Sequence, residues 1–339
     1  MTDAAMKNIG CFLKNIGEID MKKIWIHLSK AGAFQASAAD AIKLCKYLIK
    51  EELFDYPFWL QNNVIRLIID ESDINIKSVI KNKLQSDEIF CLALTEQFGG
   101  SSFQNVRTHV FDCLGGDKKA KGKKVYISNG SIADNIIFLA RDKRQKLNLF
   151  YTNDLNNMVR RKMILSEPMG KYDLAEIDFI NTSCECLYPD NDFKAMFVLN
   201  KAMAIERLFC SVTMLAMVKN LLEIFLDIYN EKKEILRDSQ YWRFSYARMK
   251  MHIHLLEAYI SDLEEMYIDG KAILPSDAAI AKSYATDTLK FILEKTEILL
   301  GAQNILKTSI LTPYEIYSKA YYSAGGTNEI MKEIIGADL

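Results

Sequence analysis

Along this chain the apolar residues change period twice. From Met21 to Ser86 they recur three and four apart, at Ile24, Leu28, Ala31 and Phe34 and then at Ile42, Leu44, Leu48 and Ile49, the spacing that turns one side of an α-helix toward a core. Glycine is nearly absent in this stretch after Gly32, so residues 1–88 are expected to form an all-helical domain. From Ile89 to about Pro189 short apolar or alternating runs take over, at Ile89–Leu94, Lys124–Ser128, Ile136–Ala140, Leu147–Tyr151 and Ala175–Ile180, divided by Gly, Asp and Asn clusters. That pattern predicts an antiparallel sheet or barrel over residues 89–191. After Asp192 the 3.6-residue period returns in long segments, Ala195–Asn230, Tyr241–Tyr267 and Asp277–Leu306, with Gly270–Pro275 as a break. Long helices with short connections predict an antiparallel bundle over 192–339. A last short helix is expected from Thr327, an N-cap type with Glu329 in the first turn, to just before Gly336. The fold class is therefore α+β: an N-terminal helical domain, a middle antiparallel β-barrel domain and a C-terminal helical bundle.

Composition narrows the function classes. At 339 residues the chain exceeds the size at which one core usually stops growing. Half the residues are apolar and the formal net charge is −1, so no global field favours nucleic acid or an anionic membrane. The densest basic run, Lys118 to Lys124, contains Gly122 and lies between strand-like stretches, which reads as a solvated hairpin turn. Seven cysteines without CxxC spacing suit reduced thiols better than a disulfide framework or a zinc site. His252 and His254, two apart on a helix, point to different faces and are poor joint ligands; no metal site is expected. Met1–Gly17 lacks the layout of a secretory signal, and no apolar run reaches the roughly 18 to 20 residues needed to span a bilayer. The cytoplasm is the default location.

Three segments carry more than periodicity. Ala93, Leu94, Thr95, Glu96, Gln97, Phe98, Gly99, Gly100 and Ser101 resemble the A-x-T-E-P-x-A-G-S element of acyl-CoA dehydrogenases, with Gln97 in the place of Pro. Val125, Tyr126, Ile127, Ser128, Asn129 and Gly130 are similar to that family's W-I-T-N-G strand. Gly325, Gly326, Thr327, Asn328, Glu329, Ile330 and Met331 match its G-G-T-N-E-I-M almost letter for letter. The three occur in the family's order. The resemblance implies a helix, barrel and helix flavoprotein fold that binds FAD. Leu94, Thr95, Gly100, Ser101, Tyr126, Ile127, Ser128, Thr327 and Glu329 would then be its cofactor contacts, with Tyr126 covering a ring face and Ser128 bonding the ring.

In this family a carboxylate removes the α proton of an acyl thioester while hydride leaves the β carbon for flavin N5. Many members place that Glu directly before the G-T of the last motif, where this chain has Gly325. Long-chain and isovaleryl-type members also have Gly there and take the base from an E-R-L triplet on a bundle helix, which Glu206, Arg207 and Leu208 resemble. Glu206 is thus the implied base, with Ser101, Arg207, Gly325 and Gly326 on the substrate side. Other positions depart from the pattern. Lys232–Leu236 stands for R-x-x-F-G, Ile298–Asn304 for Q-x-x-G-G-x-G, and Tyr317–Lys319 for R-D-A. The N-terminal helical segment is shorter than the family's and lacks its G-G loop.

The reading expected is an FAD-dependent dehydrogenase acting on acyl-CoA or an acyl-carrier-protein substrate. The alternatives are a non-catalytic, structural subunit with weakened flavin binding, or a different flavin reaction such as oxidation with oxygen. The family implies a homodimer or homotetramer, or a heteromer; acyl chain length and electron acceptor stay open.

Overall fold

The elements follow the changes of period. A computed structural model describes residues 1–15, 21–54, 56–98, 103–113, 115–189, 191 and 193–338. Helices α1 (Asp3–Asn15), α2 (Met21–Lys30), α3 (Ala38–Lys50), α4 (Arg66–Asp70) and α5 (Lys77–Leu84) come first. A π-helical turn, Leu60–Ile65, leads into α4 and buries Gln61, whose side chain accepts from Trp25 Nε1 and the Phe90 N–H and donates to Glu88 O. Strands β1 (Phe90–Ala93), β2 (His109–Asp112), β3 (Lys118–Ser128), β4 (Asn135–Arg141), β5 (Leu147–Thr152), β6 (Met158–Lys162) and β7 (Leu174–Cys186) follow. Helices α6 (Lys194–Glu231), α7 (Lys233–Leu236), α8 (Gln240–Ile268), α9 (Pro275–Leu300), α10 (Thr312–Ser323) and α11 (Asn328–Ile335) complete the order.

The strands pair β4-β2-β3-β7-β5, and β5 pairs back onto β4, so the sheet closes on itself; β1 adds to β4 and β6 to β7. It is not wholly antiparallel. β1 runs parallel to β4 over Phe90–Ala93 and Asn135–Phe138, and β2 meets β4 in parallel at His109 and Arg141. Both lie along one edge of β4, which has room for two short strands end to end.

The basic run is a correction to the expected turn: Lys118–Lys124 is the first half of β3, paired with β2 and β7. Ala120 and Lys124 are buried while Lys121 and Lys123 are exposed, so the run is an amphipathic strand in which one inward position is itself a lysine. Two bulges bend it. Asn181, at φ 56°, lies outside the register between Ala120↔Thr182 and Lys121↔Ile180. Tyr126, at φ 58°, lies between Lys124↔Ile177 and Ile127↔Ala175. Phe138 stacks on Phe150 and Phe179 in the barrel core, with ring centroids at 5.7 and 4.5 Å.

The chain packs as two compact units, Met1–Ser37 with Asp55–Met203, and Ala38–Phe54 with Ala204–Leu339. The first holds α1, α2, α4, α5, strands β1 to β7 and the start of α6. In the second, α3 packs into the helical bundle: Cys45 Sγ lies 3.3 Å from Thr213 Oγ1, Asn220 donates to Ile49 O, and Lys46 pairs with Glu264 at 2.6 Å. By length and composition α6 could cross a membrane, unlike what the run lengths predict, but most of its apolar stretch is buried, as in a core helix apolar all round. Gly270 and the Pro275 start of α9 make the expected break, and α9 ends at Leu300, before the expected Leu306, at Gly301, whose φ of 72° favours glycine. Thr327 occupies the cap position of α11 with extended ψ 164°.

Candidate active site

In the first unit, the Leu94–Glu96 segment is tied to β3. Val125 N–H donates to Thr95 O at 3.0 Å, and Lys124 Nζ donates to Leu94 O at 3.0 Å and to Glu96 Oε1 at 2.8 Å. Glu96 also accepts from the Arg107 N–H, the Thr108 N–H and the Thr108 hydroxyl at 2.8, 3.0 and 2.6 Å. Burial alone would raise the Glu96 carboxyl, but Lys124, Thr108 and the Arg107 amide outweigh it and hold it below the usual carboxylate range. Burial draws the Lys124 ammonium down to about 8 against the pull of Glu96, which leaves the pair ionised at neutral pH. Gly122 is required beside this cluster, because a Cβ there would lie 2.6 Å from the Thr108 Cα.

This tie sets two of the motif segments side by side. Leu94 and Ile127 are buried, Thr95 is half-buried, and Ser128 Oγ lies 2.7 Å from Tyr172 OH. Tyr126 is 62% exposed for all that it sits mid-strand, because the left-handed bulge turns its ring out of the sheet. A flat aromatic ligand has an uncovered ring to stack on and a hydroxyl and backbone groups beside it, so these residues fit a flavin. Gly99, Gly100 and Ser101 lie outside the described residues.

In the second unit, the other motif folds back on the E-R-L triplet. Glu206 and Arg207 are on α6, and Gly325 and Gly326 form the turn between α10 and α11 at φ 67° and 100°. Arg207, 7% exposed, donates from Nε to Gly325 O at 3.0 Å. The Gly325 backbone amide acts on the Glu206 carboxyl and favours its ionised form. Burial raises Glu206 to about 6, against lowering by Arg207, the Gly325 N–H and Lys282. A Cβ on Gly325 would sit 3.3 Å from Arg207 Cγ and 4.0 Å from Cys210 Sγ, so the position before Gly326 faces the same place as Glu206. Glu329 is exposed and accepts from Tyr322 OH at 2.6 Å, and its carboxyl is held low chiefly by that bond. The structure thus groups Glu206, Arg207, Gly325 and Gly326, with Thr327 and Glu329 on the next turn.

Two positions that depart from the family pattern are used inside this unit. Lys232 donates to Leu299 O, and to Leu300 O at 3.4 Å, closing the C-terminus of α9. Tyr317 is buried with its ring 5.0 Å from Phe54. Sequence reading passed over Lys282, which is fully buried on α9. Its signal was present: it shares a helix face with Ala278, Ala285 and Leu289, all buried, where a lysine must have partners. Among the described residues no group of His, Cys, Asp and Glu could hold a metal ion.

Residues 196–339 match the family described as "Acyl-CoA dehydrogenase, C-terminal domain". The chain is 23% identical over 263 residues to the mitochondrial long-chain specific acyl-CoA dehydrogenase of Mus musculus, covering 74% of this chain and 60% of that protein; it spans under two thirds of the length of the curated relatives it matches. The acyl-CoA dehydrogenase of Geobacillus kaustophilus superposes with a TM-score of 0.86 at 18% identity, covering 100% of this chain and 98% of the other. A prolyl acyl carrier protein oxidase superposes at 0.84 with 18% identity, covering 99% and 97%.

Proposed function

We propose that the chain is a member of the acyl-CoA dehydrogenase family, whose C-terminal domain residues 196–339 match, and that it is an FAD-dependent dehydrogenase that introduces an α,β double bond into an acyl thioester. The observation that carries the reading is Glu206, a carboxylate raised by burial to about 6 next to Arg207, which holds the motif loop through Gly325 O. A base with a pKa near working pH has both the ionised form and enough proton affinity to take an α proton. When bound, the flavin accepts the hydride that leaves the β carbon.

This chain's residues supply the rest. Glu206 takes the α proton, and Arg207 fixes the loop that flanks it through the Gly325 carbonyl. Gly325, with no side chain, leaves room for the thioester that a Glu at that position would fill. Tyr126 would hold the flavin by its exposed ring, with Ser128, Thr95 and the backbone of Leu94 and Ile127 as its polar partners, and Gly100, Ser101, Thr327 and Glu329 would extend these contacts. The acyl group is carried by coenzyme A or by a carrier protein, the latter favoured by likeness to an acyl carrier protein oxidase. A homodimer or homotetramer is the proposed assembly.

The test is anaerobic addition of saturated acyl-CoA and acyl-carrier-protein thioesters to FAD-loaded protein. Bleaching of the flavin by one class, abolished in Glu206→Gln with flavin content kept, supports the reading. Bleaching that survives in Glu206→Gln moves the base elsewhere. A second reading, a non-catalytic subunit in a heteromer, is favoured by Lys232 and Tyr317, whose side chains are spent inside the bundle at positions where the family holds cofactor contacts. It predicts a protein that folds and keeps no FAD.

A further inference from the structure

Lys282 has no role in the reading above, yet its surroundings are unusually specific. The side chain is fully buried, and Nζ donates to Tyr322 O at 2.8 Å, Gly326 O at 2.6 Å and Asn328 Oδ1 at 3.2 Å. An ammonium has three donors, and all three are used. Its acceptors come from three successive pieces of chain: the last turn of α10, the two-glycine turn, and the first residue of α11. The Tyr322 carbonyl belongs to a helix end that leaves carbonyls unpaired and carries partial negative charge, which favours a cation there.

The other side of the turn is held separately. Asn328 Nδ2 donates to Asp287 Oδ1 at 3.3 Å, so its amide is fixed between two residues of α9, and Arg207 holds Gly325 O from α6. Two cations thus grip adjacent carbonyls, Gly325 O and Gly326 O, from different helices. The Gly325 N–H lies on the peptide plane just before these two carbonyls, so holding both of them limits the rotation of the two glycines and with it the turn that carries that N–H. Both glycines are in the left-handed region, where a free turn has other conformations open to it.

We propose that Lys282 is a positioning residue: its buried ammonium holds the Gly325–Gly326 turn in the one conformation that presents the Gly325 N–H to Glu206. Its catalytic consequence rests on the reading of Glu206 as base; the clamp itself does not. The groups facing the ammonium from other elements are Cys210 and Arg207 on α6 and Glu329 on α11, with Lys290 on α9 itself. Cys210 is buried with its thiol pushed up and Glu329 is held below the usual carboxylate range, so Glu206, at about 6, is the acid among these that titrates near neutrality.

The experiment is hydrogen–deuterium exchange of the full chain, read on peptides spanning residues 320–331, for wild type, Lys282→Met and Lys290→Met. Lys290 lies over the same Tyr322 ring at 3.9 Å, so its variant controls for charge and packing on that face of α9. Lys282→Met is expected to speed exchange at Gly325 to Asn328 by about tenfold or more, as loss of net hydrogen bonds implies, while peptides of α6 and α8 keep their protection; Lys290→Met leaves the turn as it was. Protection of the turn in Lys282→Met equal to wild type overturns the proposal. Should that variant fail to fold, Asn328→Ala, which removes one acceptor and the Asp287 tie, is expected to loosen the same four residues, and unchanged exchange there also overturns it. In a thioester-oxidising protein, Lys282→Met moves the acid limb of the kcat profile to higher pH, because Lys282 lowers the proton affinity of Glu206. A wild type with no such activity sinks the functional reading and leaves the exchange result to judge the clamp.

Discussion

Replacing Glu206 by Gln tests the electrostatics of the site without requiring any cofactor. The carboxyl is raised from 4.5 to about 6 by burial, which Arg207, the Gly325 N–H and Lys282 offset only in part. A raised carboxyl favours the folded state when protonated, so its contribution is fully present below pH 4.5 and is lost as pH rises through 6. The shift, at about 1.4 kcal/mol per unit, makes the ionised side chain cost about 2 kcal/mol at neutral pH. Glutamine keeps the shape and an oxygen to accept the Gly325 N–H, but it carries no charge to desolvate. The variant is therefore expected to gain about 2 kcal/mol over wild type between pH 4.5 and 7.5, relative to whatever difference the two show in acid. Urea unfolding of the full chain at four pH values in that interval, followed by circular dichroism, measures this directly. Parallel pH dependence of the two proteins would refute the claim that burial governs Glu206. The same protein then serves the thioester assay, in which it should be inert.

Other expectations follow from the two clusters. Lys124→Met strips the partner from the buried Glu96 carboxylate and should destabilise the first unit by about 3 to 5 kcal/mol, read as a lower urea midpoint; a loss under 1 kcal/mol contradicts the pairing. Gly325→Ala forces a side chain into a left-handed position and against Arg207 Cγ at 3.3 Å, for a cost of about 1 to 3 kcal/mol by thermal denaturation; an unchanged midpoint means that the turn adapts. Tyr126→Gly relieves the φ of 58° while removing the ring, so stability should hold or rise as FAD affinity falls about tenfold, the worth of a stacked ring; equal affinity would separate Tyr126 from the flavin.

How far all this could be read from the sequence depends on whether a partner is local. Helices α6, α8 and α9 announce themselves because each carries many turns of one apolar period, and the Gly270–Pro275 break is a backbone signal that needs no tertiary context. The three motif segments were legible for the same reason. Lys118–Lys124 was misread because a strand's alternation vanishes when an inward position is a lysine, and what makes Lys124 an inward residue is Glu96, far along the chain. The parallel pairing of β1 and β2 with β4 is likewise a matter of which edge is free once the barrel closes. The Glu206 environment was expected from the Gly325 substitution, but the Lys282 clamp was not, since its acceptors are two main-chain carbonyls and an amide oxygen that no residue type advertises. The roles of Lys232 and Tyr317 were hidden in the same way.

FAD binding is tested most directly by a visible absorption spectrum of the purified chain after incubation with excess FAD and gel filtration. Flavin bands that stay with the protein, and that bleach on anaerobic addition of an acyl thioester, are the predicted result. A folded protein that leaves the column colourless contradicts the account.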